Sequence, residues 1–274
     1  MEAKPLCITY IRHAQSLFNL WEHYCAMRLN QAELDKYADD IANIVPIKSK
    51  FDPLLLDPHL SSKGKEQAHA CSFYNSMPIK TVFVSPLRRA METCDALFSR
   101  HPNHLNIKYV VHPLLREILN NANDVPHNFY SIKKEYEPKG YDFSLFDEYK
   151  YPHLHFLYTL NDPERKNLLA ELDGTEEYQA AIIAAEIAKR EMDPEHHRKL
   201  ETYLHLRKRA IEFAKFSKKF IQENGVDPAE VAVVTHSTFM GYSQAEEFNE
   251  YNKAIYKAIP NCGSVLINLS KLTQ

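Results

Sequence analysis

Short, unbroken apolar runs separated by helical patterns constrain the fold of this chain more than any other feature. The runs are LCITYI (6–11), TVFV (81–84), IKYVV (107–111) and VAVV (231–234). Strands without polar alternation are buried on both faces, which is typical of parallel sheets covered by helices. A last run, SVLINL (264–269), predicts a closing edge strand. The pattern therefore predicts an α/β layered domain with a mainly parallel sheet.

Amphipathic stretches between these runs predict the helices of the flanking layers. They cover residues 61–76, 86–99, 175–192 and 195–224. For the last two helices, Thr175 and Asp193 are the expected N-caps, and Pro194 stands at a first-turn position, where its missing N–H costs nothing.

Two segments, residues 20–57 and 120–165, interrupt this alternation. We expect a single domain over residues 1–274 in which both are insertions, because the length and the 45% hydrophobic content suit a compact globular protein. The second segment is rich in aromatic residues and prolines, and we expect it to act as a lid over the site described below. Its aromatic side chains are expected to form a small satellite core rather than a binding surface for an aromatic substrate.

Composition excludes several classes of protein. A net charge of -3 gives no basic excess for nucleic acid or an anionic membrane, and with no apolar run of spanning length we expect a soluble, cytoplasmic protein. The chain has six glycines and neither a GxGxxG motif nor a P-loop, so no nucleotide cofactor is expected. Five scattered cysteines predict reduced thiols.

The sequence contains no metal-binding motif. Three close histidine pairs are interpreted as surface residues: His101 with His104, His153 with His155, and His196 with His197.

Charged or titratable side chains follow four of the predicted strands. They are Arg12 with His13, Arg88 with Arg89, Glu117, and His236. Taken singly, each position has an ordinary structural explanation. These explanations are, in the same order, an ion pair at a strand end, a solvated helix turn, a surface charge and a hydrogen-bonded core histidine. In open parallel sheets, however, the ligand crevice lies outside the carboxyl ends of the strands. Four such positions together predict a functional site at that edge.

This set of side chains suits the transfer of a phosphoryl group through histidine. A neutral imidazole attacks phosphorus with one nitrogen while the other holds its proton, which would be the role of His13. Guanidinium groups match the equatorial oxygens of the transferring group, and Arg12 and Arg89 fit that need. His236 would bind the same oxygens, and Glu117 would deliver a proton to the departing alkoxide.

Five motifs resemble those of the histidine phosphatase superfamily, which contains cofactor-dependent phosphoglycerate mutases and fructose-2,6-bisphosphatases. The motifs are RHAQSLFN (12–19), DPHLSSKGKEQA (57–68), VSPLRRAMET (84–93), LREIL (115–119) and VVTHS (233–237), and they occur in the order of the family. The resemblance implies a three-layer α/β/α sandwich and a mechanism without a metal. For the site it implies the following: His13 as the phosphorylated nucleophile, Arg12, Arg89 and His236 as the phosphate pocket, Asn19 as a further phosphate ligand, and Glu117 as the proton donor.

Three positions depart from the family pattern, because Ala14, Asn120 and Ser237 stand where the family usually has glycine. Alanine would be strained at position 14 if the backbone there needed a positive φ, and Ser237 is expected to cap a following helix. The departures leave open a catalytically weak protein that binds a phosphorylated ligand.

The glycolytic mutases of the family have an E-R-H-Y-G stretch after the acidic residue, and here Glu117 is followed by ILNNAND instead. A phosphatase acting on a small phosphorylated substrate is therefore favoured over a mutase. Whether the protein is a homodimer is left open.

Overall fold

The computed structural model describes residues 6–126, 129–150, 152–158 and 201–273. Eight strands are found in these ranges: β1 (Cys7–Arg12), β2 (Thr81–Val84), β3 (Lys108–Val111), β4 (Tyr141–Asp142), β5 (Val231–Thr235), β6 (Glu247–Phe248), β7 (Ala254–Ile255) and β8 (Ser264–Asn268). Six of them form one sheet in the order β4-β3-β2-β5-β1-β8, while β6 and β7 pair separately.

The main sheet is parallel except at one edge, where β8 runs antiparallel to β1. The five apolar runs of the sequence are thus all strands of this sheet, and β8 is the predicted edge strand. The short strand β4 was not predicted, since it comes from the aromatic segment 120–165 and lies at the opposite edge. The predicted α/β class with a mainly parallel sheet is confirmed.

Ten α-helices are found in the described residues: α1 (Leu17–Cys25), α2 (Gln31–Lys36), α3 (Ala38–Ile44), α4 (Ser62–Ala70), α5 (Arg88–Phe98), α6 (Phe129–Tyr136), α7 (His155–Tyr158), α8 (Tyr203–Asn224), α9 (Ser237–Gln244) and α10 (Leu269–Leu272).

Successive strand residues enter opposite cores, as the two-residue period of a strand requires. In β2, Phe83 packs in a core with α8 and α9, whereas Val82 and Val84 pack in a core with α5 and α6. Helices therefore cover both faces of the sheet, which makes three layers.

Two predicted helices have different bounds in the structure. The stretch 61–76 is not one helix: α4 ends at Ala70, and a 3₁₀ helix, Ser72–Ser76, follows. The helix expected from residue 195 begins at Tyr203, because the Thr202 side chain accepts the N–H of His205 and so caps it. The helix predicted over 175–192 lies outside the described residues.

Two expectations about aromatic and histidine side chains were wrong. Among the described residues of 120–165, Phe129, Phe143 and Phe146 belong to no separate satellite core but join the main core that includes β2 and α5. His101 and His155 are buried rather than on the surface. Burial lowers the pKa of His155 to about 3, so it is a neutral core residue.

In the described ranges, no helix combines the length and apolar character that a membrane crossing needs. In the same ranges, no group of three or more histidine, cysteine, aspartate or glutamate side chains could hold a metal ion. All five cysteines are free thiols in the structure.

Candidate active site

The register of the sheet aligns the carboxyl ends of four parallel strands, β1, β5, β2 and β3. Arg12 pairs with Thr235 across β1 and β5, and Val84 pairs with both Val234 and Val111 across β5, β2 and β3. The residues that follow these strands therefore lie together at one edge of the sheet. This alignment gathers side chains that are far apart in the sequence.

His13 is buried directly after β1 and has a defined tautomer. Its Nδ1 lies 2.6 Å from the carbonyl oxygen of Ala14, so Nδ1 carries the proton. Its Nε2 is then an acceptor, and Arg89 Nε donates to it over 3.4 Å. Burial, together with the charges of Arg89 and Arg12, lowers the pKa of His13 well below its usual range. The imidazole is consequently neutral, with the lone pair on Nε2.

His236 lies beside His13, with 5.1 Å between the ring centroids. It is the N-cap residue of α9, and its Nε2 is 2.7 Å from the hydroxyl of Ser85, which follows β2. Its Nδ1 is buried and has no hydrogen-bond partner among the described residues. Burial, and then the charge of Arg89, lower the pKa of His236 well below its usual range. When Ser85 donates to Nε2, the single proton of the neutral ring is on the unpartnered Nδ1.

Arg12 is half-buried beside the same histidines. Its Nη1 donates to the carbonyl of Ile259 over 2.7 Å, whereas its Nε is buried and has no partner among the described residues. Burial lowers the pKa of Arg12, and the charge of Glu117 opposes that effect. Arg12 remains a cation, since guanidinium groups stay protonated in proteins.

Arg89 is fully buried at the start of α5, and residues of the segment 120–165 occupy its outer donors. Nη1 donates to the carbonyl of Asn123, and Nη2 forms an ion pair of 3.0 Å with the Asp124 carboxylate. Burial raises the pKa of Asp124 to about 7, against the opposing charge of Arg89. The neighbouring Arg88 instead contacts the exposed His59, so Arg89 is the arginine of the pair that lies in the site.

Both carboxyl oxygens of Glu117 accept backbone N–H groups. Oε1 accepts from Ile118 (2.8 Å) and Phe239 (3.2 Å), and Oε2 accepts from Thr238 (3.0 Å). Two of these donors, Thr238 and Phe239, belong to the first turn of α9, whose N–H groups have no partners within the helix. Glu117 is thereby held beside the helix that His236 caps.

Asn19 has a local role in the structure. Its side-chain oxygen and that of Ser16 form the capping box of α1, with both bonds at 3.3 Å. Its contact with a phosphate stays a prediction.

The three positions that depart from the family glycines carry no positive φ, so Ala14, Asn120 and Ser237 are unstrained. The expected cap at Ser237 was wrong, because His236 is the N-cap residue and Ser237 is already inside α9.

Several residues of the quoted motifs support the loop after β1, a role that was not predicted from the sequence. Gly64 packs so closely on this loop that a Cβ there would lie 2.0 Å from the carbonyl oxygen of Gln15. Gln67 accepts the N–H of Gln15, and Thr93 accepts the N–H of Ala14. The motif spacing was the signal for these contacts. Asp124 had no such signal, because it lies outside every quoted motif.

Comparison with known proteins gives one family match. Residues 55–151 match the model of the histidine phosphatase superfamily (branch 1). The predicted resemblance to histidine phosphatases is confirmed. The matched range includes Arg89, Glu117 and Asp124 of the site. No curated protein sequence matches the chain.

Several solved structures are similar to this chain at low identity. A mycobacterial hydrolase has 17% identity and a TM-score of 0.46, over 95% of this chain and 87% of the other. A phosphoserine phosphatase from Entamoeba histolytica has 12% identity and a TM-score of 0.43, over 95% and 89%. A phosphoglycerate mutase from Bacillus anthracis has 14% identity and a TM-score of 0.44, over 98% and 92%.

Proposed function

We propose that the protein is a phosphatase that hydrolyses a small phosphomonoester through a phosphohistidine on His13. The observation that carries this proposal is a pair of buried polar atoms, Arg12 Nε and His236 Nδ1, that find no hydrogen-bond partner in the part of the chain that the structure describes. Both belong to residues that lie beside His13, a histidine of defined tautomer. Unpaired buried polar groups are costly, and an anion would satisfy both.

The first step transfers the phosphoryl group to the protein. His13 Nε2 attacks phosphorus, the bond to the leaving oxygen breaks, and Glu117 in its protonated form gives its proton to that oxygen. Arg12, Arg89 and His236 bind the equatorial oxygens, where negative charge spreads in the transition state. In the second step water attacks phosphorus, Glu117 takes up the proton, and inorganic phosphate leaves as the P–N bond breaks.

We also propose where the protein is located in the cell and which segment covers its active site. Free thiols at all five cysteines support a reducing compartment, the cytoplasm. The contacts of Asn123 and Asp124 with Arg89 support a single domain in which the segment 120–165 covers the active site.

Hydrolysis should not require a divalent metal, because arginines supply the positive charge in this site. We expect p-nitrophenyl phosphate to be hydrolysed at the same rate before and after treatment with excess EDTA. The measurement is the release of p-nitrophenolate. Loss of activity with EDTA and its return with magnesium or zinc would contradict the proposal, and background hydrolysis under all conditions would favour a binding protein.

Asp124 is expected to compete with anions for Arg89. Because its pKa is raised to about 7, the carboxylate forms above that pH and pairs with Arg89, and it is neutral below it. Sulfate keeps its charge over this range, so its affinity for the wild type should fall as pH rises through about 7. In Asp124→Ala, affinity near pH 8 should rise about tenfold, a difference of about 1.4 kcal/mol, and lose most of this pH dependence.

Isothermal titration calorimetry with sulfate checks the effect of Asp124. Asp147→Ala is the matched control, since Asp147 is exposed and belongs to the same segment. Weaker sulfate binding in Asp124→Ala than in the control would mean that Asp124 positions Arg89 for the phosphate instead of competing with it.

A further inference from the structure

A buried cluster of three charged side chains lies outside the predicted site. Glu201 binds Arg116 at 2.6 Å and Arg209 at 2.8 Å, and all three side chains are at most 2% exposed. Arg209 is on α8, and neither it nor Glu201 belongs to any of the motifs described above. Arg116 is the residue before Glu117.

The cluster binds the backbone of one short segment. Arg209 Nη1 donates to the carbonyls of Leu114 and Arg116, and its Nη2 donates to the carbonyl of Glu117 over 3.3 Å. Arg116 Nη1 also donates to the Glu117 carbonyl, over 3.0 Å. Glu201 Oε2 accepts the N–H of Leu119 over 3.0 Å. The segment 114–119 is therefore held from one side by α8 and by Glu201.

The other side of this segment is held by the Glu117 carboxyl, which accepts two N–H groups of α9. Glu117 thus has its backbone fixed to the charged cluster and its side chain fixed beside His236. A buried ion pair by itself adds little stability, since the cost of removing charges from water offsets their attraction. What this cluster adds is a defined position for Glu117.

We propose that Arg209 and Glu201 are positioning residues for Glu117. The inference rests on the proposed function, in which Glu117 donates a proton to the leaving oxygen. A loosened segment 114–119 would move the carboxyl relative to that oxygen, and proton transfer requires hydrogen-bond distance. Phosphoryl transfer to His13 itself would be affected little, because Arg12 and His13 stand at the end of β1 and outside the segment 114–119.

The test combines Arg209→Lys with Glu117→Gln in a double-mutant cycle. Lysine keeps a positive charge near Glu201 but cannot reproduce the forked set of donors to three carbonyls. We expect Arg209→Lys to lower kcat/KM for glycerol 2-phosphate, whose alkoxide leaves poorly, by about tenfold or more. For p-nitrophenyl phosphate, whose leaving group needs no proton, the loss should be at most about twofold. In the Glu117→Gln background, Arg209→Lys should have almost no further effect on glycerol 2-phosphate.

Arg207→Lys is the matched control, because Arg207 is on the exposed side of α8 and stacks on Phe248. It should leave both substrates unaffected. If Arg209→Lys fails to fold in a thermal unfolding experiment, the triple variant R116M/E201L/R209M replaces the cluster with apolar side chains, and the same substrate difference is expected from it.

Two outcomes separate this inference from the proposed function. In the first, Arg209→Lys lowers kcat/KM equally for both substrates, and this loss multiplies with the loss caused by Glu117→Gln. That result would overturn the positioning role and leave the proposed phosphatase activity standing. A wild-type protein that hydrolyses neither substrate would overturn the proposed function, and the positioning role with it.

Discussion

Replacing His13 with alanine should abolish the covalent phosphoenzyme and lower kcat by about 10⁴-fold or more, since a methyl group cannot attack phosphorus. The expectation follows from the position of the ring. Nδ1 is pinned to the carbonyl of Ala14, and Nε2 is the nitrogen left with a lone pair. The neutral state at physiological pH follows from burial and from the charges of Arg89 and Arg12.

Rapid acid quenching during turnover, followed by analysis of the protein-bound phosphate, measures the adduct. Phosphohistidine is labile in acid and stable in base. The trapped phosphate should therefore survive a brief acid quench, be lost on longer exposure to acid, and be retained in alkali. His69→Ala, an exposed histidine on α4, is the control and should keep both the adduct and the turnover. Wild-type turnover in His13→Ala, or an adduct that is stable in acid, would show that another residue is the nucleophile.

Replacing His236 with alanine should lower kcat by about 10²-fold to 10³-fold, the usual cost of one missing donor to developing oxyanion charge. The reason is the buried Nδ1 of a ring that lies beside His13, because this nitrogen has no hydrogen-bond partner within the described ranges. Ser85→Ala should have a smaller effect of about tenfold, because it removes only the hydroxyl that orients the ring.

Steady-state kinetics with p-nitrophenyl phosphate separates two roles for His236. A fall in kcat with KM unchanged indicates an interaction made in the transition state, as we expect. A rise in KM with kcat unchanged would indicate that His236 only binds the substrate phosphate. The thermal unfolding midpoint of each variant shows whether the loss comes instead from unfolding.

Much of the sheet could be predicted directly from the sequence, because its central strands β1, β2 and β5 are apolar runs buried on both faces. Strand β4 could not be read, since two residues, Tyr141 and Asp142, are too short for any periodicity. The break in the helix predicted over 61–76 was also missed. It occurs at Cys71, where the helix ends without a glycine or proline to mark it.

Part of the candidate site could likewise be predicted from the sequence, and part could not. The residue types after each strand, and their order in the motifs, were enough to predict His13, Arg12, Arg89, His236 and Glu117 as a set. The Arg89–Asp124 pair and the cluster around Glu201 could not be predicted, because their partners are 35 and 85 residues apart in the sequence.

The sequence by itself determined the α/β sheet and the kinds of side chain that stand at its carboxyl edge, since both depend on local patterns of apolar and charged residues. Only the tertiary structure decided which nitrogen of His13 carries no proton, that Ala14 is unstrained, and that Asp124 forms an ion pair with Arg89. These properties depend on burial and on hydrogen bonds between distant segments, and desolvation and geometry are set when the segments pack together.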